Sequence, residues 1–167
     1  VPNVNGAKNI GQHNKRWNLV FCNGIRFGGD NTDATTLDDY EEGTFTATCA
    51  NSVTLYSNAD TCQYVRVGNM VTVMGQVRVD DDAMLSNFII NNLPFTVHNA
   101  AEASGLSTGS VRLYGVNMLS SIEYAICVAD AGSSNLEFQG VRNNTSSIAI
   151  LADSGAYYMF NITYKTS

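Results

Sequence analysis

Two alternating runs constrain this chain most. Tyr64-Val65-Arg66-Val67 and Met70-Val71-Thr72-Val73-Met74-Gly75-Gln76-Val77-Arg78-Val79 switch between apolar and polar side chains at period two. Strands send successive side chains to opposite faces, so this pattern specifies two half-buried strands. Only Gly68-Asn69 separates the runs. Gly and Asn tolerate the positive φ that a two-residue hairpin turn demands, so the segment reads as a β-hairpin.

The rest of the chain follows the same rhythm from Thr44 onward. The spacing predicts further strands at Thr44–Cys49, Asn87–Ile90, Ser110–Tyr114, Glu123–Ala129, Leu136–Val141, Ser147–Leu151 and Tyr157–Lys165. Turn clusters separate them: Asp80-Asp81-Asp82, Asp130-Ala131-Gly132-Ser133-Ser134 and Asn143-Asn144-Thr145. Many short strands at this spacing indicate a sandwich or barrel rather than βαβ units. The one helix-like patch, His98 to Ala103, is stopped by Gly105 after barely a turn. No solenoid or propeller period occurs.

Residues 1–44 differ. Gly and Asn punctuate them and the apolar runs are short, so they offer too little apolar surface to offset the entropy of ordering. They read as an extended lead-in that takes its core from neighbouring subunits. Residues 45–167 read as one β domain, a length that can bury a core.

Charge excludes several functions. Charged residues make up 14% of the chain, against about 25% in ordinary soluble domains. The balance, 9 Lys+Arg against 15 Asp+Glu, gives a net charge of −6 with no basic run. Nucleic-acid binding through counterion release is therefore not expected, nor is attraction to an anionic membrane. No apolar run approaches the ~20 residues a membrane span needs. The start, Val1-Pro2-Asn3-Val4, carries neither an initiator Met nor a signal-peptide core and reads as internal to a longer chain. Asn, Ser and Thr replace the missing charge, which suits subunit packing or contact with sugars.

The segment Gly24 to Phe45 carries a resemblance. Gly24-Ile25-Arg26-Phe27-Gly28-Gly29 followed by Leu37-Asp38-Asp39-Tyr40-Glu41-Glu42-Gly43-Thr44-Phe45-Thr46 resembles a segment common in phage tail-fibre and tail-spike proteins. Asn9-Ile10-Gly11, Lys15-Arg16-Trp17 and Leu19-Val20-Phe21 are similar to the repeating shaft element of those proteins. Tyr64, Val67-Gly68-Asn69, Val71-Thr72-Val73, Gly75 and Leu93-Pro94-Phe95 resemble the domain that follows it, so the likeness spans roughly residues 9 to 95. One departure is Ala47, where the family often has proline.

The resemblance implies an antiparallel β-sandwich, jelly-roll-like, with a shaft-like lead-in, intertwined as a homotrimer. It implies a virion protein assembled in the host cytoplasm and joined to other tail proteins through an upstream part. Its receptor is a host-surface glycan or an outer-membrane protein. Two alternatives stand beside this: a non-catalytic C-terminal trimerisation domain of a capsular-polysaccharide depolymerase, and a purely structural virion protein. Trp17, Ile25, Phe27, Leu37 and Tyr40 are the expected trimer-interface residues. Trp17, the sole tryptophan, lies in a segment too thin to bury it within one chain.

Candidate chemistry is sparse, and no enzyme, cofactor or metal is expected. Asp38, Asp39, Glu41 and Glu42 suggest paired-carboxylate hydrolysis, but neighbours on an extended chain point to opposite faces. The resemblance places them at a shaft–tip junction, where they are expected to accept hydrogen bonds from backbone amides or pair with Arg16 or Arg26 of another subunit. Asp80-Asp81-Asp82 lacks the spacing of a Ca²⁺ loop and reads as a solvated turn. His13 and His98 sit in no zinc or nucleophile motif. Cys22, Cys49, Cys62 and Cys127 follow no metal spacing. Cys49 and Cys62 can face each other across strands as a disulfide, while four buried thiols is the favoured reading. Sugars are held by aromatic faces with polar neighbours, which nominates Tyr56, Tyr114, Tyr124, Tyr157 and Tyr158.

Overall fold

The structure is a computed structural model that describes residues 13–15, 17–26, 36–37, 39–81, 87–101, 105–118, 121–143 and 146–166. The chain forms two compact units, Val1–Asp38 and Asp39–Ser167. In the first, β1 (Ile25–Arg26) pairs antiparallel with β2 (Thr36–Leu37), Ile25 opposite Leu37. Trp17, Leu19, Val20 and Phe21 lie exposed there, Trp17 by 68% and Phe21 by 92%. Phe27 falls outside the described residues.

The second unit is all-β and antiparallel. Its strands are β3 (Tyr40–Thr46), β4 (Thr54–Leu55), β5 (Thr61–Val67), β6 (Met70–Asp81), β7 (Ile89–Ile90) and β8 (Ser107–Tyr114). They continue with β9 (Tyr124–Ala129), β10 (Leu136–Val141), β11 (Ile148–Ala149) and β12 (Tyr157–Lys165). The sheet order is β11-β10-β9-β8-β12-β6-β5-β3, with β4 joined to β6 and β7 to β10. The divide between the units precedes the one expected at residue 44. Tyr40 to Thr44, placed by the sequence in the lead-in, already pair with Val67 to Gln63.

The hairpin forms where the alternation requires it. Val67 stands opposite Met70, and Gly68 takes φ +57° while Asn69 keeps a negative φ, the pattern of a type II′ turn. Leu136–Val141 and Tyr157–Lys165 are strands with the expected bounds. Asp80 and Asp81 end β6 instead of forming a turn, and Asp82 lies outside the described residues.

Alternation sorts the faces. Val71, Val73, Val77 and Val79 of β6 are buried, as are Tyr158, Phe160, Ile162 and Tyr164 of β12. Gly75 keeps this face close-packed: a Cβ there would collide with Sγ of Cys62. Phe88, Phe138, Tyr158 and Phe160 form an aromatic centre, with the Phe88 and Tyr158 rings stacked at 3.8 Å. The Phe138 and Phe160 rings meet edge-on at 5.8 Å. β10 and β12 are three strand spacings apart, about 14 Å in a flat sheet, so the sheet curls inward around these rings.

Loop segments close the inner face. Ala47 and Val53 come from one, and Phe88, Ile90, Leu93 and Val97 from another, all in the same core. Side-chain amides stitch the two together. Thr48 N–H donates to Asn92 Oδ1 at 2.8 Å, Thr48 Oγ1 to Asn91 Oδ1 at 2.7 Å, and Asn92 Nδ2 to the Thr46 carbonyl at 2.7 Å.

The outer face carries an uncharged row. Thr44, Gln63, Met74, Asn161, Ser110, Ile126, Gln139 and Ala149 stand opposite one another in turn across eight strands. Charges and tyrosines sit beyond this row, toward the ends of the strands.

Candidate functional site

The clearest chemical grouping on the outer face lies where β6 leaves the sheet, β12 enters it and β8 ends. Arg78 follows Val77 in β6 and points outward by alternation. Opposite it on β12 is Tyr157, and opposite Tyr157 on β8 is Tyr114. The connection after β4 brings in Tyr56, fastened by Tyr56 N–H to the Arg78 carbonyl at 3.0 Å and Arg78 N–H to the Ala59 carbonyl at 3.0 Å.

These contacts bring the guanidinium over two rings. Arg78 Cζ lies 4.2 Å from the Tyr56 ring centroid and 5.4 Å from that of Tyr157. Cation–π attraction contributes about 0.5–1 kcal/mol for each exposed pair of this kind. Arg78 Nε donates to the Gly155 carbonyl at 3.3 Å, which fixes the plane of the group. Tyr114 extends the cluster at 6.1 Å from Tyr157 and is 62% exposed. One step along the sheet, Arg112 stands exposed opposite Met159, its Nη1 3.6 Å from the Met159 sulfur. The site therefore offers flat aromatic faces beside rigidly held donors.

Three of the five nominated tyrosines, Tyr56, Tyr114 and Tyr157, thus come together. Tyr124 is exposed on β9, on the same face but outside the cluster. Tyr158 requires a correction. It is fully buried, donates its hydroxyl to the Leu151 carbonyl at 2.7 Å and accepts from Asp153 N–H at 3.1 Å. It follows Tyr157 directly, so alternation sends it to the opposite face, where it is a core residue and not a ligand contact. The sequence reading missed Arg78 and Arg112. The available signal was Arg78 between Val77 and Val79: a lone cation at an outward position of an alternating run whose other outward residues are uncharged up to Val79.

The acidic segment finds partners within its own chain. Asp39 pairs with Arg66 at 2.9 Å, and Arg66 also lies 5.1 Å from the Phe95 ring. Glu41 accepts from the Tyr64 hydroxyl at 2.5 Å and Glu42 from the Tyr40 hydroxyl at 2.8 Å. These bonds, made to the protonated phenols, raise the pKa of Tyr64 and Tyr40 above the usual value. Asp39, Glu41 and Glu42 thus each have a partner within the chain. Asp38 lies outside the described residues.

The cysteines are free thiols. Cys62 and Cys127 are buried and Cys49 half-buried, whereas Cys22 is exposed, contrary to the expectation of four buried thiols. Leu37, Ile25 and Tyr40 are exposed alongside Trp17, leaving each of these nominated interface residues accessible. Among the described residues no group of three His, Cys, Asp or Glu side chains could hold a metal ion. No known protein family, no curated protein and no solved structure matches this chain.

Proposed function

We propose that this chain is the host-facing tip of a phage tail fibre or tail spike, a non-catalytic module that binds a surface glycan as a homotrimer. The observation that carries the binding role is the Tyr56–Arg78–Tyr157–Tyr114 cluster on a face otherwise poor in charge. Aromatic faces take the apolar faces of pyranose rings, and a fixed guanidinium supplies directional donors. The Leu37-to-Thr46 resemblance supports the tail assignment.

The trimer reading rests on residues 17–21. Three large apolar side chains and a valine lie exposed within five residues, a density that single surface residues do not reach. Three copies wound on an axis would bury them, each large side chain contributing about 1.5–3 kcal/mol. The inward curl of the sheet supports a jelly-roll-like sandwich for residues 45–167. Three sites on one rigid body then act by avidity, so individually weak binding suffices.

Light scattering at low micromolar concentration tests the assembly, and adsorption of labelled protein to host cells tests the role. A mass near three times 18.0 kDa together with saturable adsorption supports the proposal. A monomer, or a trimer indifferent to cells and glycans, overturns it.

A further inference from the structure

We infer that the Arg78 site is built for the carboxylate of an acidic sugar, which narrows the glycan reading above and rests on it. The guanidinium carbon lies over the Tyr56 and Tyr157 rings, and Gly155 takes Nε. What remains is the edge bearing the two terminal Nη groups. Among the described residues, neither Nη has a hydrogen-bond or carboxylate partner; the chain's own ion pair, Arg66 with Asp39, is elsewhere. The next outward residue on the same strand, Asp80, makes no ion pair with Arg78.

A guanidinium pinned in this way matches a planar carboxylate through two parallel N–H···O bonds. Neutral hydroxyls accept only single bonds and gain less from it. Arg112 adds a second cation whose contact is a sulfur, not a carboxylate. On standard strand spacings its Cα lies about 12 Å from that of Arg78, two strands across and one pair along. Successive sugars of a polysaccharide can bridge that distance. Tyr114 and Tyr157 lie between them as stacking surfaces. Two arginines on one local face stand out in a chain of net charge −6, which would otherwise repel a polyanion.

The test is calorimetric titration of the full chain with three probes: an oligosaccharide containing uronic acid, its carboxyl-reduced counterpart, and a sulfated neutral oligosaccharide. The expected result is at least tenfold tighter binding of the uronic acid form than of either other probe. Arg78→Gln should erase that preference by weakening the acid form far more than the reduced form, and Arg78→Lys should restore only part of it. Arg112→Gln should weaken the acid form by a smaller factor. Unchanged melting temperatures confirm that the variants are folded. Equal binding of acid and reduced forms, lost in Tyr157→Ala, sinks the carboxylate inference and keeps the glycan site. Equal binding of the sulfated probe also overturns it, because any anion then suffices. Binding of all probes unaffected by Tyr157→Ala and Tyr114→Ala removes both the inference and the site beneath it.

Discussion

Tyr157 and Tyr158 are adjacent in sequence and opposite in role, and the difference is a matter of which face each meets. Tyr158→Phe keeps the ring in its aromatic centre but strands the Leu151 carbonyl and the Asp153 amide. It should destabilise the fold by about 2 kcal/mol in urea denaturation and leave sugar binding intact. Buried protons give a second expectation. Burial pushes the thiols of Cys49, Cys62 and Cys127 from 9.0 up to about 12, helped for Cys49 by the neighbouring Cys62, and pushes the Tyr164 phenol from 10.0 up to about 12. Between those values the unfolded chain has released protons that the folded chain retains. Stability from these groups is therefore full below pH 9 and falls as pH rises toward 12. Urea midpoints followed from neutral pH upward should stay level with respect to these groups and then drop, and Cys127→Ala should make the drop shallower. At this scale the sequence indicated a chemistry of tyrosines but not its centre. Nothing in the spacing of Tyr56, Arg78, Tyr114 and Tyr157 reveals that four separate segments meet, because only the strand register sets that meeting.

At the scale of elements, the hairpin of β5 and β6 was legible in advance because its information is local: period two on both sides and a Gly-Asn link. Gly68 has open space around its α-carbon, so its requirement is purely conformational. Gly68→Ala should cost about 1–2 kcal/mol, and incorporation of D-alanine at the same position should recover most of it, as read by thermal melting. The short strands were harder to bound. β7 and β11 keep two residues each of the longer runs that alternation suggested, because Phe88 and Ile150 pair across loops rather than along a ladder. β3 began four residues earlier than expected, since Tyr40 to Gly43 look polar and turn-like until β5 offers them partners. As an edge strand, β3 also carries Glu41 and Glu42, charges that discourage a further strand from adding to it.

For the whole molecule, every residue of the core cluster belongs to the unit that begins at Asp39. A fragment spanning 39–167 should therefore fold by itself, with a cooperative transition and a melting temperature close to that of the full chain. Its mass should be that of a monomer if the exposed stretch around Trp17 is what joins the copies. The antiparallel all-β class was readable from pattern alone. The sheet order was not, because it depends on which distant strands fit together. That order places β12 at the middle, hydrogen-bonded to β6 along its whole length and to β8 along half. Among the described strands, β12 is the last to emerge from the ribosome during synthesis. Without it, β3–β5–β6 and β8–β9–β10 would be separate ladders, each with an open edge where β12 belongs. Both edges would then be open to each other or to a neighbouring chain, so a single C-terminal strand is what makes one sheet of two ladders.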